Sequence, residues 1–261
     1  MSFKGKISWS ELRQYNTCPY QIFLKNTNVE DLSNVNKQAK TKGLSFHSFC
    51  EHYHDNWKNG KPDKNKKFDK ESFQWFHGFE LERYEYCEDK KIPWKPLHVE
   101  KTFEGDDWLC IVDRIDDMGD GTFMMVEYKN KPGTFDKQQL AFEYWVITEN
   151  YEYCSHCNEF VLKGGCPEVH VKPIVFSAFG IIYAEHPDEN YYKKPNKTSL
   201  NSMRKKMSMT LMGIRGGHFI AKSGFACFYC DFGKLGQCDK VGVSLNLCTK
   251  CSIPLQMIDN T

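Results

Sequence analysis

Residues 108–129 read WLCIVDRIDDMGDGTFMMVEYK, and this stretch decides the fold of the chain. Two apolar runs in it, at 108–115 and 122–128, predict a pair of strands. The Gly-Asp-Gly sequence at 119–121 predicts the tight turn that joins them into a hairpin. Because both faces of the runs carry apolar side chains, we expect the hairpin near the middle of a sheet that is covered on both sides.

The rest of the chain alternates helical and extended patterns around this hairpin. Apolar spacing predicts helices at residues 8–25, 43–57, 70–88, 136–150 and 198–213, and a strand at 171–184. Pro19 is expected to break or kink the first of these helices. The order of these elements predicts an α/β fold in which helices flank a mixed central sheet. We expect residues 1–261 to form a single domain.

The bulk composition excludes several classes of protein. Of the 261 residues, 40% are hydrophobic and 15% aromatic, as is typical of a folded globular protein and not of a disordered one. The formal net charge is +1, so any surface that binds nucleic acid has to be a local patch. No stretch approaches the ~18 apolar residues of a membrane-spanning helix, and no signal-peptide pattern opens the sequence. We therefore expect a cytoplasmic protein.

Two acidic residues and a lysine on the predicted hairpin suit metal-dependent hydrolysis of a phosphodiester. Glu127 and Lys129 are two residues apart on one strand, so their side chains share a face, and the hairpin can bring Asp113 across from them. Two carboxylates form a hard-oxygen site for Mg²⁺ or Mn²⁺, and the lysine can orient a water or offset charge on a phosphate. The same residues allow a structural interpretation. Asp113 then pairs with Arg114 or Lys129, and the second carboxylate lies on a solvated edge.

Twelve cysteines, several of them in close pairs, indicate metal sites. Because the sequence shows no export signal, Cys-x2-Cys pairs favour metal ligation over disulfides. The pairs are Cys154/Cys157, Cys227/Cys230 and Cys248/Cys251.

Residues 151–170 predict a small zinc-binding insertion. The first candidate set of ligands is Cys154, Cys157, Cys166 and His170. Such a set of sulfur and nitrogen atoms is typical of a tetrahedral structural zinc site. Cys248 and Cys251 compete for the same ion, because two Cys-x2-Cys pairs would make a four-cysteine site. Cys154 and Cys157 are ligands in either arrangement. The choice between Cys166 with His170 and Cys248 with Cys251 stays open.

A further cysteine pattern predicts an iron–sulfur cluster. Four thiolates hold a [4Fe–4S] cluster, often three close in sequence and one remote. Residues 222–240 supply the close three, which are Cys227, Cys230 and Cys238. Cys18 supplies the remote one. A zinc site with the same ligands and a set of buried free thiols are the alternatives.

The hairpin carries a family resemblance. Ile-Val-Asp-Arg-Ile-Asp at 111–116, followed by Met-Val-Glu-Tyr-Lys-Asn-Lys at 125–131, resembles the core of the PD-(D/E)XK nucleases of the RecB-like branch. Cys110 stands where that family often has glycine. Further matches run in the family's order from the opening helix at Ser8 to Cys238. The resemblance implies a restriction-endonuclease-like core and a metal-dependent DNA nuclease.

The resemblance also implies roles for individual residues. The implied metal ligands are His47, Asp113, Glu127 and the backbone carbonyl of Tyr128. The implied catalytic residues are Asp113, Glu127, Lys129, Glu100 and Gln139. Gln139-Leu140 resembles a Gln-Leu-x-x-Tyr helix that positions DNA and the lysine, and Tyr144 stands one residue later than the tyrosine of that pattern.

The iron–sulfur pattern is similar to one subgroup of this branch, which includes the AddB nuclease domain, the CRISPR-associated RecB-like exonucleases and the exonuclease V type. In that subgroup the cluster ties the N-terminal helix to the C-terminal segment. The resemblance therefore implies a structural staple that limits the entropy of the unfolded chain, and not a redox step in cleavage.

Basic side chains on the last predicted helix provide a candidate DNA-binding patch. The predicted contacts are Arg204, Lys205 and Lys206, together with Tyr144. Phosphate contacts combined with base stacking suit a single strand. A helix face whose charges are only solvated is the alternative.

These features together favour a Mg²⁺- or Mn²⁺-dependent exonuclease on single-stranded DNA, in recombination, repair or phage DNA processing. Two alternatives stay open: a structure-specific or restriction-type endonuclease on the same fold, and a non-enzymatic DNA-binding adaptor. The sequence has no Gly-x4-Gly-Lys-Ser/Thr motif, so a helicase partner would be a separate chain. We expect a prokaryotic or phage-encoded protein.

Overall fold

The computed structural model describes residues 5–26, 37–57 and 60–220, with the single residues 222 and 238. Helices α1–α6 cover Trp9–Thr17, Pro19–Asn26, Lys37–Tyr53, Glu71–Lys90, Asp136–Asn150 and Lys197–Arg215. Strands β1–β8 cover His98–Glu104, Leu109–Asp117, Phe123–Lys129, Tyr151–Cys154, Glu159–Leu162, Val171–Lys172, Phe176–Tyr183 and Tyr191–Lys193. Among the described helices, none is long and apolar enough to cross a membrane.

Five strands of the described chain form a mixed sheet in the order β1-β2-β3-β7-β8. Neighbouring strands are antiparallel except β3 and β7, which run parallel. A parallel pair needs a crossover connection, and α5 with β4–β6 lies in that connection. Helix α3 contacts β3, and α5 contacts β1, β2 and β7. The predicted α/β fold, with helices beside a mixed central sheet, is confirmed.

Strands β2 and β3 form the predicted hairpin, with Asp117 opposite Phe123 at its turn end. Gly119 and Gly121 have φ angles of 75° and 83°, a left-handed conformation that favours glycine. The strands end at Asp117 and Lys129 and not at residues 115 and 128. Backbone pairing continues past the apolar runs from which the ends were predicted.

Two predicted elements are each divided at a proline. The helix predicted at 8–25 is α1 and α2, and Cys18 between them is extended (φ −154°, ψ 105°), as the residue before Pro19 favours. The strand predicted at 171–184 is β6 and β7, which belong to different sheets. Pro173 lies between them, and a residue without an N–H cannot continue a ladder.

The other predicted helices are present with shifted ends. Helix α3 begins at Lys37 and not at residue 43, because its first turns are polar and carry no apolar repeat that pattern reading can detect. It ends at Tyr53, and a 3₁₀ turn follows at His54–Asn56. The helices predicted at 70–88, 136–150 and 198–213 correspond to α4, α5 and α6.

Strands β4–β6 form a separate three-stranded antiparallel sheet in the order β5-β4-β6. This small sheet occupies the insertion predicted at 151–170 and continues to Lys172. Phe160 of β5 contacts Phe123 and Phe103 of the central sheet, with ring centroids 4.8 and 6.0 Å apart. Edge-on and tilted ring contacts of this kind anchor the small sheet to the central one.

Aromatic side chains of α3 and α4 surround Tyr128 on one face of the central sheet. The Tyr128 ring is 1% exposed and meets Phe46 and Phe76 edge-on, at 6.2 and 5.7 Å between centroids. Phe46 is itself buried in this core. Because the chain is fixed at Phe46, the next residue, His47, is held against β3.

The described chain divides into two compact units. One contains residues 37–204 with both sheets, and the other consists of residues 1–36 and 205–261. Within the second unit, the Tyr15 hydroxyl donates to the His218 carbonyl at 2.8 Å. The α1 helix therefore contacts the C-terminal part of the chain directly.

Candidate active site

The hairpin brings Asp113, Glu127 and Lys129 together. The β2–β3 register, continued by one pair, places Asp113 opposite Glu127. Lys129 Nζ donates to Glu127 Oε2 at 2.6 Å, and the Tyr128 N–H donates to Asp113 Oδ2 at 2.7 Å. Asp113 is 7% exposed and Glu127 1% exposed, so both carboxylates are held inside the fold.

Helix α3 and strand β1 add a nitrogen atom and a third carboxylate. His47 Nδ1 lies 3.6 Å from Asp113 Oδ2 and 3.8 Å from Glu100 Oε1. One ligand atom from each of these residues lies within 4.8 Å of the other two. Imidazole nitrogen and carboxylate oxygen both ligate divalent ions. The residues that converge here, called the carboxylate cluster below, are His47, Glu100, Asp113, Glu127 and Lys129.

Glu100 reaches this position through an unusual backbone conformation. Its φ angle is 47°, a left-handed value that is rare for a non-glycine residue inside a strand. His98 and Phe103, five residues apart in β1, would point to opposite faces of a regular strand. Both rings instead contact Phe160, at 5.2 and 6.0 Å between centroids. The distortion at Glu100 therefore breaks the alternation of β1 next to Asp113.

Gln139 and Glu143 on α5 contact the cluster from the helix side. Gln139 Nε2 donates to Glu127 Oε2 at 2.7 Å and to Glu143 Oε1 at 2.8 Å. Glu143 is 1% exposed, and burial together with the charge of Glu127 raises its pKa well above its usual range. Sequence reasoning predicted Gln139 and missed Glu143. The available signal was the spacing of four residues, which places both side chains on one face of the helix.

Burial and neighbouring charges shift the proton affinities in the cluster. Burial, and then the charge of Glu127, raise the pKa of Asp113 to about 8. Burial lowers the pKa of Lys129, but the charges of Glu127 and Asp113 outweigh it and leave that pKa raised. Burial also lowers the pKa of His47, and the nearby carboxylates of Glu100 and Asp113 reverse the effect, so that the pKa is raised. The lysine therefore stays charged at neutral pH.

The donor set fits a divalent cation. Glu127 Oε1 and Glu143 Oε2 are buried and have no hydrogen-bond partner within the part of the chain that the structure describes. Crowded, buried carboxylate oxygens are costly unless a positive charge offsets them. His47, Glu100 and Asp113 supply ligand atoms that are already close together, with Glu127 directly across the hairpin.

A buried ionic network lies on the other face of the hairpin. Arg114 Nη1 donates to Glu80 Oε1 at 2.5 Å, and Arg114 Nε donates to the two Asp116 oxygens at 2.8 and 3.1 Å. Two parts of the structural interpretation are therefore wrong: Asp113 does not pair with Arg114, and Glu127, the second carboxylate, is 1% exposed and not solvated. Arg114 is engaged on the opposite face because successive residues of a strand alternate.

Three cysteines converge at one end of the small sheet. The Sγ atoms of Cys154, Cys157 and Cys166, called the cysteine cluster below, lie within 4.8 Å of one another. Cys157 Sγ and Cys166 Sγ are 3.8 Å apart, about the separation that two Zn–S bonds of ~2.3 Å give in a tetrahedral site. The predicted fourth ligand, His170, lies outside this group. Its ring stacks on His156 with centroids 5.1 Å apart.

The predicted iron–sulfur ligands are described only in part. Cys18 and Cys238 are half-buried, and Cys18 Sγ accepts a hydrogen bond from the Lys222 N–H at 3.4 Å. The predicted metal ligands that lie outside the described residues are Cys227, Cys230, Cys248 and Cys251.

The residues predicted to contact DNA differ in how exposed they are and in which side chains they contact. Arg204 is exposed and forms an ion pair with Glu149 at 3.0 Å. Lys205 is exposed and Lys206 half-buried on the same helix. Tyr144 is half-buried, and its ring packs against two phenylalanine rings of β7 at 6.1 Å between centroids. The structure therefore shows Tyr144 in packing contacts.

The fold and the carboxylate cluster together define a class of protein. Acidic side chains on neighbouring strands of a mixed sheet, with a lysine two residues after the second acid, are an arrangement suited to metal-dependent cleavage of phosphodiesters. A sequence profile of the PD-(D/E)XK nuclease superfamily matches residues 6–235. The chain belongs to this superfamily, as the hairpin motif predicted, and is a metal-dependent nuclease. A comparison with curated proteins finds no significant match.

Proposed function

We propose that the protein is a Mg²⁺- or Mn²⁺-dependent DNA exonuclease that acts on single strands in recombination, repair or phage DNA processing. One observation carries the chemistry: His47 Nδ1 lies within 3.8 Å of carboxylate oxygens of both Asp113 and Glu100, beside the Glu127–Lys129 pair. The exonuclease mode and the preference for single strands rest on the resemblance to the RecB-like branch.

The proposed ligands of the catalytic ion are His47, Asp113, Glu127 and the backbone carbonyl of Tyr128. Glu100 supplies a further acidic group within 4.8 Å of the first two. When bound, such an ion lowers the pKa of a water molecule and offsets negative charge on the phosphate. The crowded carboxylates of the cluster are suited to bind an ion that supplies this chemistry.

The side chains around the ion site have roles that follow from their contacts. Lys129, charged at neutral pH, is available to orient the attacking water and to offset charge that develops on the phosphate. Its contact with Glu127 at 2.6 Å fixes the direction of the ammonium group. The Tyr128 N–H orients the Asp113 carboxylate from the backbone, and Gln139 donates to Glu127 from α5.

A cavity of about 270 Å³ beside the cluster supports DNA binding. Its lining includes Ser45, Phe46, Lys70 and Asn130, of which Phe46 and Asn130 precede and follow cluster residues in the chain, and one carboxylate, Glu185. Lys70 Nζ donates to Ser45 Oγ at 2.6 Å. An ammonium group with hydroxyl and amide groups complements a backbone phosphate. The other proposed DNA contacts are Arg204, Lys205, Lys206 and Tyr144.

We also propose that one nuclease domain of residues 1–261 holds two structural metal sites. The insertion at 151–170 would hold zinc, and the three sulfur atoms that lie within 4.8 Å of one another support this proposal. The proposed ligands are Cys154, Cys157, Cys166 and His170, with Cys248 and Cys251 as the alternative to the last two. Cys18 would complete a [4Fe–4S] cluster with residues 222–240. The contact of α1 with the carbonyl of His218 supports that proposal.

Cleavage assays on two matched substrates test the proposed activity. We expect the wild-type protein to degrade a linear single strand with Mg²⁺ or Mn²⁺ and to leave a covalently closed circular single strand intact. Chelation with EDTA and the variant Lys129→Ala should both stop degradation. Nicking of the circle would establish the endonuclease instead. Absence of cutting with any divalent ion would favour the DNA-binding adaptor.

The metal content per chain tests both cysteine assignments together. Protein purified without oxygen is expected to contain iron and sulfide in a ratio near one, and about one zinc ion. The variant Lys129→Ala should keep the brown colour of the cluster while losing activity. Colourless protein that contains zinc alone would exclude the iron–sulfur assignment and leave the nuclease site untouched.

A further inference from the structure

Glu143 is a buried carboxyl group that the proposed mechanism does not use. It lies one helical turn after Gln139, at the position where the Gln-Leu-x-x-Tyr pattern has its tyrosine. It is 1% exposed, and its Oε1 accepts a hydrogen bond from Gln139 Nε2 at 2.8 Å. The same nitrogen donates to Glu127 Oε2 at 2.7 Å, so both amide hydrogens of Gln139 point at carboxylate oxygens.

This arrangement fixes the orientation of the Gln139 amide. A side-chain amide turned by 180° presents its oxygen where its nitrogen was. With Glu127 alone as a neighbour, solvent or another donor can compensate for that turn. With Glu143 on the other side, the turned amide gives up two observed hydrogen bonds at once, to Glu127 Oε2 and to Glu143 Oε1. The second acceptor therefore holds Gln139 as a donor to Glu127.

We propose that Glu143 is a positioning residue of the nuclease site: by accepting from Gln139, it keeps the amide that orients Glu127. This inference rests on the proposed function, because it assigns Glu127 to the ion. In this proposal Glu143 acts through Gln139 and is not itself a ligand of the ion.

The energetic cost of Glu143 supports a role in the site. A carboxyl group buried beside Glu127 destabilises the metal-free protein. An apolar side chain of similar size at the same position would make the folded state more stable. Its second oxygen, Oε2, is buried without a hydrogen-bond partner among the described residues. A residue that only filled space on α5 would not need a carboxyl group there.

The substitution Glu143→Leu separates positioning from packing. We expect the Tm of the metal-free variant to equal or exceed that of the wild type. The affinity for Mn²⁺, measured by calorimetric titration, and kcat should each fall about 10- to 100-fold, as for other residues that orient a metal ligand. KM for DNA should change little. Glu143→Gln, which keeps an oxygen that can accept from Gln139, should recover most of both losses.

A double-mutant cycle and a matched control complete the test. In the background of Gln139→Ala, Glu143→Leu should cause no further loss of Mn²⁺ affinity, because the residue acts only through that amide. Glu82→Leu makes the same change at an exposed position of α4 and should leave both quantities unaltered.

Two outcomes would overturn the inference alone: wild-type Mn²⁺ affinity and kcat in Glu143→Leu, or full additivity in the cycle. A wild-type protein that neither binds Mn²⁺ nor cuts DNA would instead overturn the proposed function, and this inference with it.

Discussion

The carboxylate cluster and the cysteine cluster are built in opposite ways. The first is assembled from the central sheet, where backbone pairing sets Asp113 against Glu127 and a backbone N–H fixes the Asp113 carboxylate. The second lies where the short strands of the small sheet turn, with Cys157 exposed and Cys166 half-buried. Packing therefore holds the first arrangement in place, whereas the second depends on what binds between its sulfur atoms.

The two clusters also differ in how they affect the stability of the metal-free protein. Crowded carboxylates inside the sheet oppose folding until a cation arrives, because burial disfavours their charged forms. Neutral thiols, of which Cys154 is buried and Cys157 exposed, carry little such penalty, and a structural zinc ion would add stability to a small sheet with little core of its own. The first cluster should therefore govern activity, and the second should govern local stability.

The largest effect is expected from a substitution in the carboxylate cluster. Asp113→Asn keeps the shape of the side chain and an oxygen that can accept from the Tyr128 N–H. It removes a charge that the ion needs, so cleavage should fall about 10³-fold or more. The Tm of the metal-free protein at pH 8 should stay equal or rise, because repulsion from Glu127 is relieved. Assays of cleavage and thermal unfolding on the same preparation check both expectations. A variant that cuts at the wild-type rate would remove Asp113 from the mechanism.

A substitution in the cysteine cluster should give the converse pattern. Cys157→Ser should lower the zinc content from about one per chain to near zero and lower Tm by about 5 °C. Cleavage should stay within about threefold of wild type, because the two sites have separate ligands. Mass spectrometry of bound metal and thermal unfolding measure the first two quantities. Lys163→Ser, at an exposed turn position directly after β5, serves as the control. Unchanged zinc content in Cys157→Ser would exclude this residue as a ligand.

The stability of the metal-free protein should depend on pH through the carboxylate cluster. The pKa of Asp113 is about 8 in the folded protein and ~3.9 in an unfolded chain, so the folded state binds this proton more tightly. The contribution to stability is therefore complete below about pH 4 and is lost as the pH rises to about 8. His47, whose pKa is also raised, changes in the same direction.

Thermal unfolding measured with and without Mn²⁺ checks this dependence. We expect the Tm of the metal-free protein to fall between pH 5 and pH 8, and Mn²⁺ to raise Tm more at pH 8, because the ion and the proton compete for the same carboxylate. Asp113→Asn should show a smaller slope with pH. A metal-free Tm that stays level over this range in the wild type would contradict the burial of a protonated Asp113.

The two clusters also differ in how far the sequence predicts them. The hairpin was predictable because alternation fixes which side chains share a face, and Asp113, Glu127 and Lys129 all follow from it. Glu100 was suggested by family resemblance alone. Its φ angle of 47° breaks the alternation of β1, and no periodic pattern predicts such a distortion. Glu143 was missed because an acidic residue on a helix is usually solvated, and its burial results from how α5 packs on the sheet.

The cysteine cluster was predictable only as far as its local spacing. Cys154 and Cys157 are close in the chain, so any fold keeps them near one another. Cys166 joins them because β5 runs back along β4 and returns the chain to the same end of the small sheet. His170 was chosen for its spacing, but the 3₁₀ turn at Glu168–His170 stacks its ring on His156. Pro173 shows the same limit, since it divides a strand that an apolar run had joined, whereas the break at Pro19 was expected from the sequence.

The smallest effect is expected beside the carboxylate cluster, in the cavity that contains Lys70. Lys70→Ala removes an ammonium group without removing a cap, because the Lys70 side chain makes no capping hydrogen bond to α4. If a DNA phosphate binds there, KM should rise about three- to tenfold at unchanged kcat. The slope of log affinity against log salt should become shallower by ~0.7, the value for one phosphate of a single strand. Lys90→Ala, at the far end of the same helix, should change neither quantity. If the slope of log affinity against log salt is unchanged in Lys70→Ala, no DNA phosphate binds in this cavity. DNA would then be bound at the ion site and by the remaining basic residues near it.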